Sequence, residues 1–138
     1  MAPFAVADEV SCSSDSTAVN CGLTINGDDT ATINAKITLS SGDAALYLNS
    51  ANNIINMTKD ILTTGTSVEG IGFGGGATNN TITLDGDITT TCASGGGSNC
   101  FGINIGGDSN TLTMIGDVDV AGSTAGGLGI CLVYTRYG

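Results

Sequence analysis

Three aspartates recur at equivalent positions of this sequence and are the first residues with which the protein could do chemistry. Asp60, Asp87 and Asp117 each stand directly before an apolar residue, and Lys36 takes the same place upstream. Glycan-cleaving enzymes on repetitive β folds combine clustered carboxylates with basic groups. The chain has 3 Lys and Arg residues and no histidine, and aspartate beside a glycine corner is ordinary turn chemistry. We therefore predict that the protein is not an enzyme, with a carbohydrate-active enzyme as an alternative.

The cysteines are spaced for local disulfide bonds. Cys12 and Cys21 bracket a polar loop, and Cys92 and Cys100 bracket a glycine-rich insertion. Each bond would close a loop of about ten residues, stabilise the fold by roughly 2.5 kcal/mol on the chain-entropy model, and require an oxidising compartment. Cys131 is left over, which predicts either an intermolecular bond or a partner outside this sequence.

The spacing of the cysteines does not suit a metal ion. Neither pair has the Cys-x-x-Cys spacing of a zinc site, and there is no histidine to complete one. Residues 26–29 and 106–110 are similar to parts of calcium-binding repeats, but neither segment recurs in tandem. Tight turns explain both segments better, so we predict no metal and no cofactor.

Threonine pairs separated by one residue are the last group of candidates. They occupy equivalent positions in three copies of a repeat, whereas the weaker copy has Ile54 and Asn56. If the copies stack, the hydroxyls form a regular outward array like the faces of ice-binding β-solenoids. Threonine is also the ordinary residue on the exposed side of a strand, which is the simpler interpretation. The predicted face consists of Thr30, Thr32, Thr81, Thr83, Thr111 and Thr113.

The aspartates and threonines belong to a segment that occurs three times, at 29–37, 80–88 and 110–118, with a weaker copy at 53–61. The ends of the copies lie 24, 27 and 30 residues apart. Units with such self-similarity bury their apolar faces only by stacking on one another, and length changes between them fall in loops. The repeat therefore determines which candidate residues meet in space.

Within each copy the apolar residues alternate as in a β-strand. In Thr81 to Leu84 the threonines fall on one face and the aliphatic residues on the other, and a Gly-Asp step then turns the chain into a second short strand. A third apolar step precedes each copy. The sequence therefore predicts an all-β fold, a single-stranded parallel β-helix of about 4 to 5 coils of 24 to 30 residues. Its predicted core includes Ile25, Ile33, Ile37, Leu48, Ile61, Phe73, Leu84, Ile88, Ile105, Met114 and Val118.

One repeat domain is expected at residues 20–138, preceded by residues 1–19 as either a leader remnant or an N-terminal cap. Ala5 to Ala7 are typical of the end of a secretory signal, although a charged start and a long apolar run are missing. The apolar step at 129–132 begins a coil that the sequence does not complete. We expect an uncapped C-terminal end that stacks on another copy and extends into filaments.

The segment 102–118 and its relative at 70–88 resemble the degenerate repeats of bacterial autotransporter passengers and related secreted β-helix adhesins. The resemblance extends over residues 20–132. It implies export, a right-handed β-helix and a role at the cell surface. The chain is then expected to be a piece of such a protein or a short free-standing relative.

The charge of the chain restricts its partners. Against 13 acidic residues there are 3 basic ones, a net charge of −10, which excludes a basic surface for nucleic acid. No apolar run approaches the roughly 18 residues of a membrane span. We predict a non-enzymatic structural or adhesive protein, secreted or at the cell surface, whose partners are copies of itself or a cell-surface or carbohydrate target. An ice-binding module is the first alternative.

Overall fold

Short β-strands joined by tight corners form the fold. A computed structural model describes residues 4–6, 9–12, 23–25, 30–34, 36–40, 44–93, 100–122 and 128–132. Within these ranges the chain forms fifteen strands and no helix. Glycine and β-branched residues account for this choice, because interior glycines weaken helices and threonine, isoleucine and valine favour strands.

Each strand pairs in parallel with the strands three places away in the chain, which sorts all fifteen into three five-stranded sheets. The first sheet contains β1 (Phe4–Val6), β4 (Thr30–Ile33), β7 (Ile54–Met57), β10 (Thr81–Asp85) and β13 (Thr111–Ile115). The second contains β2 (Glu9–Cys12), β5 (Lys36–Leu39), β8 (Ile61–Gly65), β11 (Ile88–Cys92) and β14 (Val118–Gly122). The third contains β3 (Leu23–Ile25), β6 (Ala44–Leu48), β9 (Glu69–Phe73), β12 (Phe101–Ile105) and β15 (Leu128–Leu132).

This pairing is that of a β-solenoid, so the predicted all-β class and the parallel stacking are confirmed. The first two strands fall within residues 1–19, which were expected to be a leader remnant or a cap, and they pair with β4 and β5. Among the described residues, no helix has the length and apolar character needed to cross a membrane.

Inward rows of aliphatic side chains fill the space between the sheets. In the second sheet Ile37, Ile61 and Ile88 pair in register and are fully buried, and each contributes roughly 1.5 to 3 kcal/mol to folding. The predicted core residues that are buried are Ile33, Ile37, Leu48, Ile61, Phe73, Leu84 and Ile88. Ile105, Met114 and Val118 pack against this core while partly buried, and the side chain of Ile25 lies outside the described part of the structure.

Strands of the third sheet bring two consecutive residues into the interior, a small one followed by a large one. Gly70 and Ile71 on β9 are both buried, as are Gly102 and Ile103 on β12. A Cβ atom at Gly70 would collide with the carbonyl oxygen of Gly102 and with a methyl group of Ile88. The core therefore accepts only a very small residue at these aligned positions of the third sheet. On β6 the corresponding residue is Ala45.

The corners before β7, β10 and β13 of the first sheet share one backbone conformation. Asn52, Asn79 and Ser109 have φ values of 60°, 55° and 60°, the left-handed region in which asparagine is enriched among non-glycine residues. The amide of Asn79 donates a hydrogen bond to Oδ1 of Asn52, with a distance of 2.7 Å between the two atoms. These corners place the next residue of each coil in the same position, where it can stack on its counterparts.

Candidate functional site

The three recurring aspartates lie at a corner between the first and second sheets, and the carboxylates of Asp60 and Asp87 accept hydrogen bonds from the backbone of the next coil. The backbone N–H of Asp87 donates to Oδ1 of Asp60 at 3.0 Å, and that of Asp117 donates to Oδ1 of Asp87 at 2.9 Å. Lys36 lies in the same row, in register with Glu9. The carboxylates of Asp60 and Asp87 thus serve the turn, in agreement with the turn chemistry that the sequence favoured.

The threonine pairs lie in two outward rows of the first sheet. Parallel pairing aligns Thr81 with Thr111 and Thr83 with Thr113, while Ile54 interrupts the first row. Asn56 interrupts the second row, between Thr32 and Thr83. Thr32 is half-buried and the other five threonines are exposed. Rows repeat at about 4.8 Å across the strands, and alternate residues at about 6.6 Å along them. The structure therefore brings all six predicted residues onto one face, with one break.

Cys92 and Cys100 meet at the base of the insertion that separates them. They are free thiols, and the side chains are joined by a hydrogen bond rather than a disulfide. Cys100 is buried, with its Sγ 3.8 Å from the carbonyl oxygen of Gly65, and Cys92 is half-buried on β11. The predicted pairing brings the two sulfurs together, but the predicted covalent bond is absent. Cys21 and the side chains of Cys12 and Cys131 lie outside the described part of the structure.

Burial raises the pKa of the Cys92 thiol to about 11 from an ordinary value of 9.0, and the hydrogen bond and the charge of Cys100 add to this effect. Since the thiolate is the reactive species, a raised pKa slows alkylation. In the reduced protein at pH 8 we expect Cys92 to react with iodoacetamide at least tenfold more slowly than in the urea-unfolded chain. Peptide mapping by mass spectrometry measures both rates.

The pH dependence supplies the check on this prediction. The alkylation rate of folded Cys92 should keep rising between pH 9 and pH 11, because the folded thiol loses its proton only at higher pH. The rate in the unfolded chain should level off above pH 9, because the unfolded thiol has an ordinary pKa. Equal rates in the folded and unfolded chains at pH 8 would contradict the burial and thiol contact described above.

Three asparagines that the sequence analysis did not single out form a ladder in the interior. Asn53, Asn80 and Asn110 each follow a left-handed corner residue, and the first two are fully buried. Oδ1 of Asn80 accepts hydrogen bonds from the backbone and side-chain nitrogens of Asn53, both at 2.8 Å. Oδ1 of Asn110 accepts the equivalent pair from Asn80, at 2.9 and 3.0 Å. No buried side-chain nitrogen or oxygen in the described ranges lacks a hydrogen-bond partner.

Replacing Asn80 with alanine should destabilise the fold strongly. The change removes the acceptor of the buried backbone N–H of Asn53, which costs about 1 to 3 kcal/mol in the free energy of unfolding. Nδ2 of Asn53 loses one acceptor but keeps its hydrogen bonds to the carbonyl and hydroxyl oxygens of Ser50. Urea denaturation followed by circular dichroism measures the loss. Asn56→Ala is the matched control, because Asn56 is exposed on the first sheet, and it should change stability by less than about 0.5 kcal/mol. Equal effects of the two substitutions would show that the ladder does not stabilise the fold.

Of the two segments that are similar to calcium-binding repeats, the structure describes the second. Residues 26–29 lie outside the described part of the structure. At 106–110, Nδ2 of Asn110 donates to the carbonyl oxygens of Gly106 and Ala77, at 2.8 and 2.6 Å. Within the described residues, no group of three or more His, Cys, Asp or Glu could hold a metal ion. The second corner is thus organised by hydrogen bonds of its own chain.

A second group that the sequence analysis missed lies on the outer face of the third sheet. Tyr47, Gly72 and Asn104 are in register on neighbouring strands, and Glu69 lies beside them on β9. Nδ2 of Asn104 donates to Oε1 of Glu69 at 2.8 Å, although the two residues are 35 positions apart in the chain. We call these four residues the Tyr47 cluster. It places an aromatic ring, a carboxylate and an amide on one surface.

Comparison with known proteins gives no match to this chain. No family model fits the sequence, and no curated protein or solved structure is significantly similar to it.

Proposed function

We propose that the protein is an exported, non-enzymatic structural or adhesive element of a cell surface or secretion. The observation that supports this most is that all fifteen described strands belong to three continuous parallel ladders. Such a fold is a scaffold in which each coil contacts mainly its neighbours and presents outward rows of side chains. On this proposal the coils wind right-handedly, number about 4 to 5, and are related to the repeats of autotransporter passengers that the sequence resembles.

Export is supported by the acidity of the chain and by the thiol pair. A net charge of −10 keeps separate molecules soluble and repels anionic partners. The thiols of Cys92 and Cys100 lie close enough to interact, and an oxidant of an oxidising compartment would take two electrons and two protons from them to form a disulfide. The proposal therefore includes an oxidised pair in the exported protein.

Stacking of one copy on another completes the structural part of the proposal. In the described part of the chain, the end strands β13, β14 and β15 pair on one side only. Leu112 and Met114 at that end are only partly buried. Unpaired parallel edges and half-covered apolar rows are surfaces on which another copy can add. Head-to-tail contacts of this kind propagate into filaments.

The assembly state tests this function. We expect light scattering and electron microscopy of the full chain to show stacks that lengthen with concentration under non-reducing conditions. Leu112→Lys should shorten them, because it places a charge in the half-buried row at one end. Thr91→Lys makes a similar charge change on an exposed side chain of β11 and should leave them unchanged, with circular dichroism confirming that both variants fold.

The location of the protein is measured in parallel. Antibody detection in the surface or culture fraction of the source cells, with Cys92 and Cys100 oxidised, supports the proposal. A monomer at high concentration that occurs only inside cells with both thiols reduced would reject it. Stacks that dissolve on reduction would assign the contact to an intermolecular disulfide, for which Cys131 is the candidate.

Ice binding is the second candidate, favoured by the register of the threonines on the first sheet. The outward rows repeat threonine except at Ile54 and Asn56, and Asp85 is a charged residue two positions beyond Thr83. If this face binds ice, the wild-type protein should show thermal hysteresis, and Thr83→Lys should abolish it because the side chain lies in the middle of the face. Thr91→Lys on the second sheet is the control and should retain the activity. Absence of hysteresis in the wild type would remove this candidate.

A further inference from the structure

Gly72, on the outer face of the third sheet, leaves space that neighbouring side chains occupy. Tyr47 and Asn104 lie on the strands at either side of it, in register. A Cβ atom at Gly72 would lie 3.0 Å from Cβ of Ala44 and 3.2 Å from Cδ2 of Tyr47, and it would collide with Oε2 of Glu69. The carboxylate of Glu69 and the edge of the tyrosine ring therefore meet over bare backbone.

A second glycine sets the position of the tyrosine ring. A Cβ atom at Gly74 would lie 2.7 Å from the hydroxyl oxygen of Tyr47 and 2.6 Å from Oδ1 of Asn49. The ring thus extends along the backbone of the neighbouring coil from Gly72 to Gly74. Its half-buried state means that one side packs on these glycines while the rest remains accessible. A ring supported in this way presents a flat apolar surface with a polar tip.

Hydrogen bonding fixes the polar part of the cluster. Asn104 holds Oε1 of Glu69 at 2.8 Å, which orients the carboxylate across the surface instead of leaving it to rotate in solvent. An ionised carboxylate can accept about four hydrogen bonds, and the asparagine side chain has both donor and acceptor atoms. The cluster extends over three neighbouring strands of the third sheet, a distance of about 10 Å. A ligand that contacts all of its groups would therefore lie across the strands, along the direction in which the coils stack.

We propose that the Tyr47 cluster binds a neutral oligosaccharide. A sugar ring has an apolar face of C–H groups that suits the tyrosine ring, and hydroxyls at its edge that suit a carboxylate and an amide. The charge of −10 on the chain and the carboxylate within the cluster repel acidic glycans. This inference rests on the proposed adhesive function and assigns its binding site and the class of its target.

Titration of the full chain with defined oligosaccharides tests the site. The probes are cellohexaose, maltohexaose and chitin hexasaccharide, which are neutral, and trigalacturonate, which is acidic. Binding is followed by nuclear magnetic resonance of the protein amides. We expect at least one neutral probe to bind, with the largest shifts on β6, β9 and β12, and trigalacturonate to bind at least tenfold more weakly.

Variants assign the binding to individual groups. Tyr47→Ala should weaken binding at least tenfold, and Tyr47→Phe should retain most of it because the ring surface remains. Glu69→Gln removes the charge but keeps the shape, so it should weaken binding of the neutral probe while reducing the discrimination against trigalacturonate. Thr91→Ala, on the outer face of the second sheet, is the control and should bind as the wild type does.

Several results would overturn the inference. They are the absence of binding by all three neutral probes at millimolar concentration, tighter binding of trigalacturonate, or unchanged affinity in Tyr47→Ala. These outcomes are independent of assembly and location, which do not involve Tyr47. Stacks without oligosaccharide binding would reject this site alone, and oligosaccharide binding by an intracellular monomer would instead reject the structural function.

Discussion

Parallel pairing in register is the constraint on which the other features of this protein depend. Because strands repeat at about 4.8 Å, each side chain lies directly beside its counterpart in the next coil and must be compatible with it. Isoleucine meets isoleucine along the row Ile37, Ile61 and Ile88, where identical branched side chains interlock and exclude water. In the third sheet, Gly70 and Gly102 lie so close to the next strand of that sheet and to a side chain of the second sheet that only the smallest residues are compatible with the packing.

The same constraint explains why polar residues can occupy the interior. Oδ1 of Asn80 and Oδ1 of Asn110 each accept two hydrogen bonds from the coil before. Nδ2 of each asparagine in the ladder also donates to a carbonyl oxygen of a corner, so the stack and the corners together satisfy the amides. Thr63 and Thr90 repeat the principle with hydroxyls, at 3.0 Å within the core. The hydrogen bonds are directional, whereas the aliphatic rows tolerate sliding. The ladder thus fixes the register that hydrophobic burial alone would leave loosely specified.

Sequence patterns predicted the alternation within each coil and, from the repeat, the parallel stacking of the coils. The alternation in Thr81 to Leu84 predicts which side chains are buried, and the Gly-Asp step predicts the corner. The ladder of Asn53, Asn80 and Asn110 was missed because asparagine is a common residue at exposed turns, and its burial here follows only from the stacking of the coils. The Tyr47 cluster was missed for a related reason. Its residues share no motif, and register alone brings Glu69 and Asn104 together across 35 positions.

The free thiols of Cys92 and Cys100 show the limit of spacing arguments, which predict proximity but not oxidation.

Outward rows differ from inward rows in how far they repeat, and this difference bears on function. An inward position must fit the same neighbours in every coil, so its residue type recurs, as in the isoleucine row of the second sheet. An outward position has solvent on one side and is free to change from coil to coil. The row Tyr47, Gly72 and Asn104 changes at every step, and its members fit one another as ring, bare backbone and hydrogen-bonding amide.

The threonine rows, by contrast, repeat one residue type with a single interruption, which suits a ligand that is itself periodic. A ligand of limited length needs different groups at successive positions, and the fold provides these only where the repeat is broken. Under the proposed adhesive function, the varied residues on the outer face of the third sheet are therefore better suited to recognise a specific partner than the repeated threonines of the first.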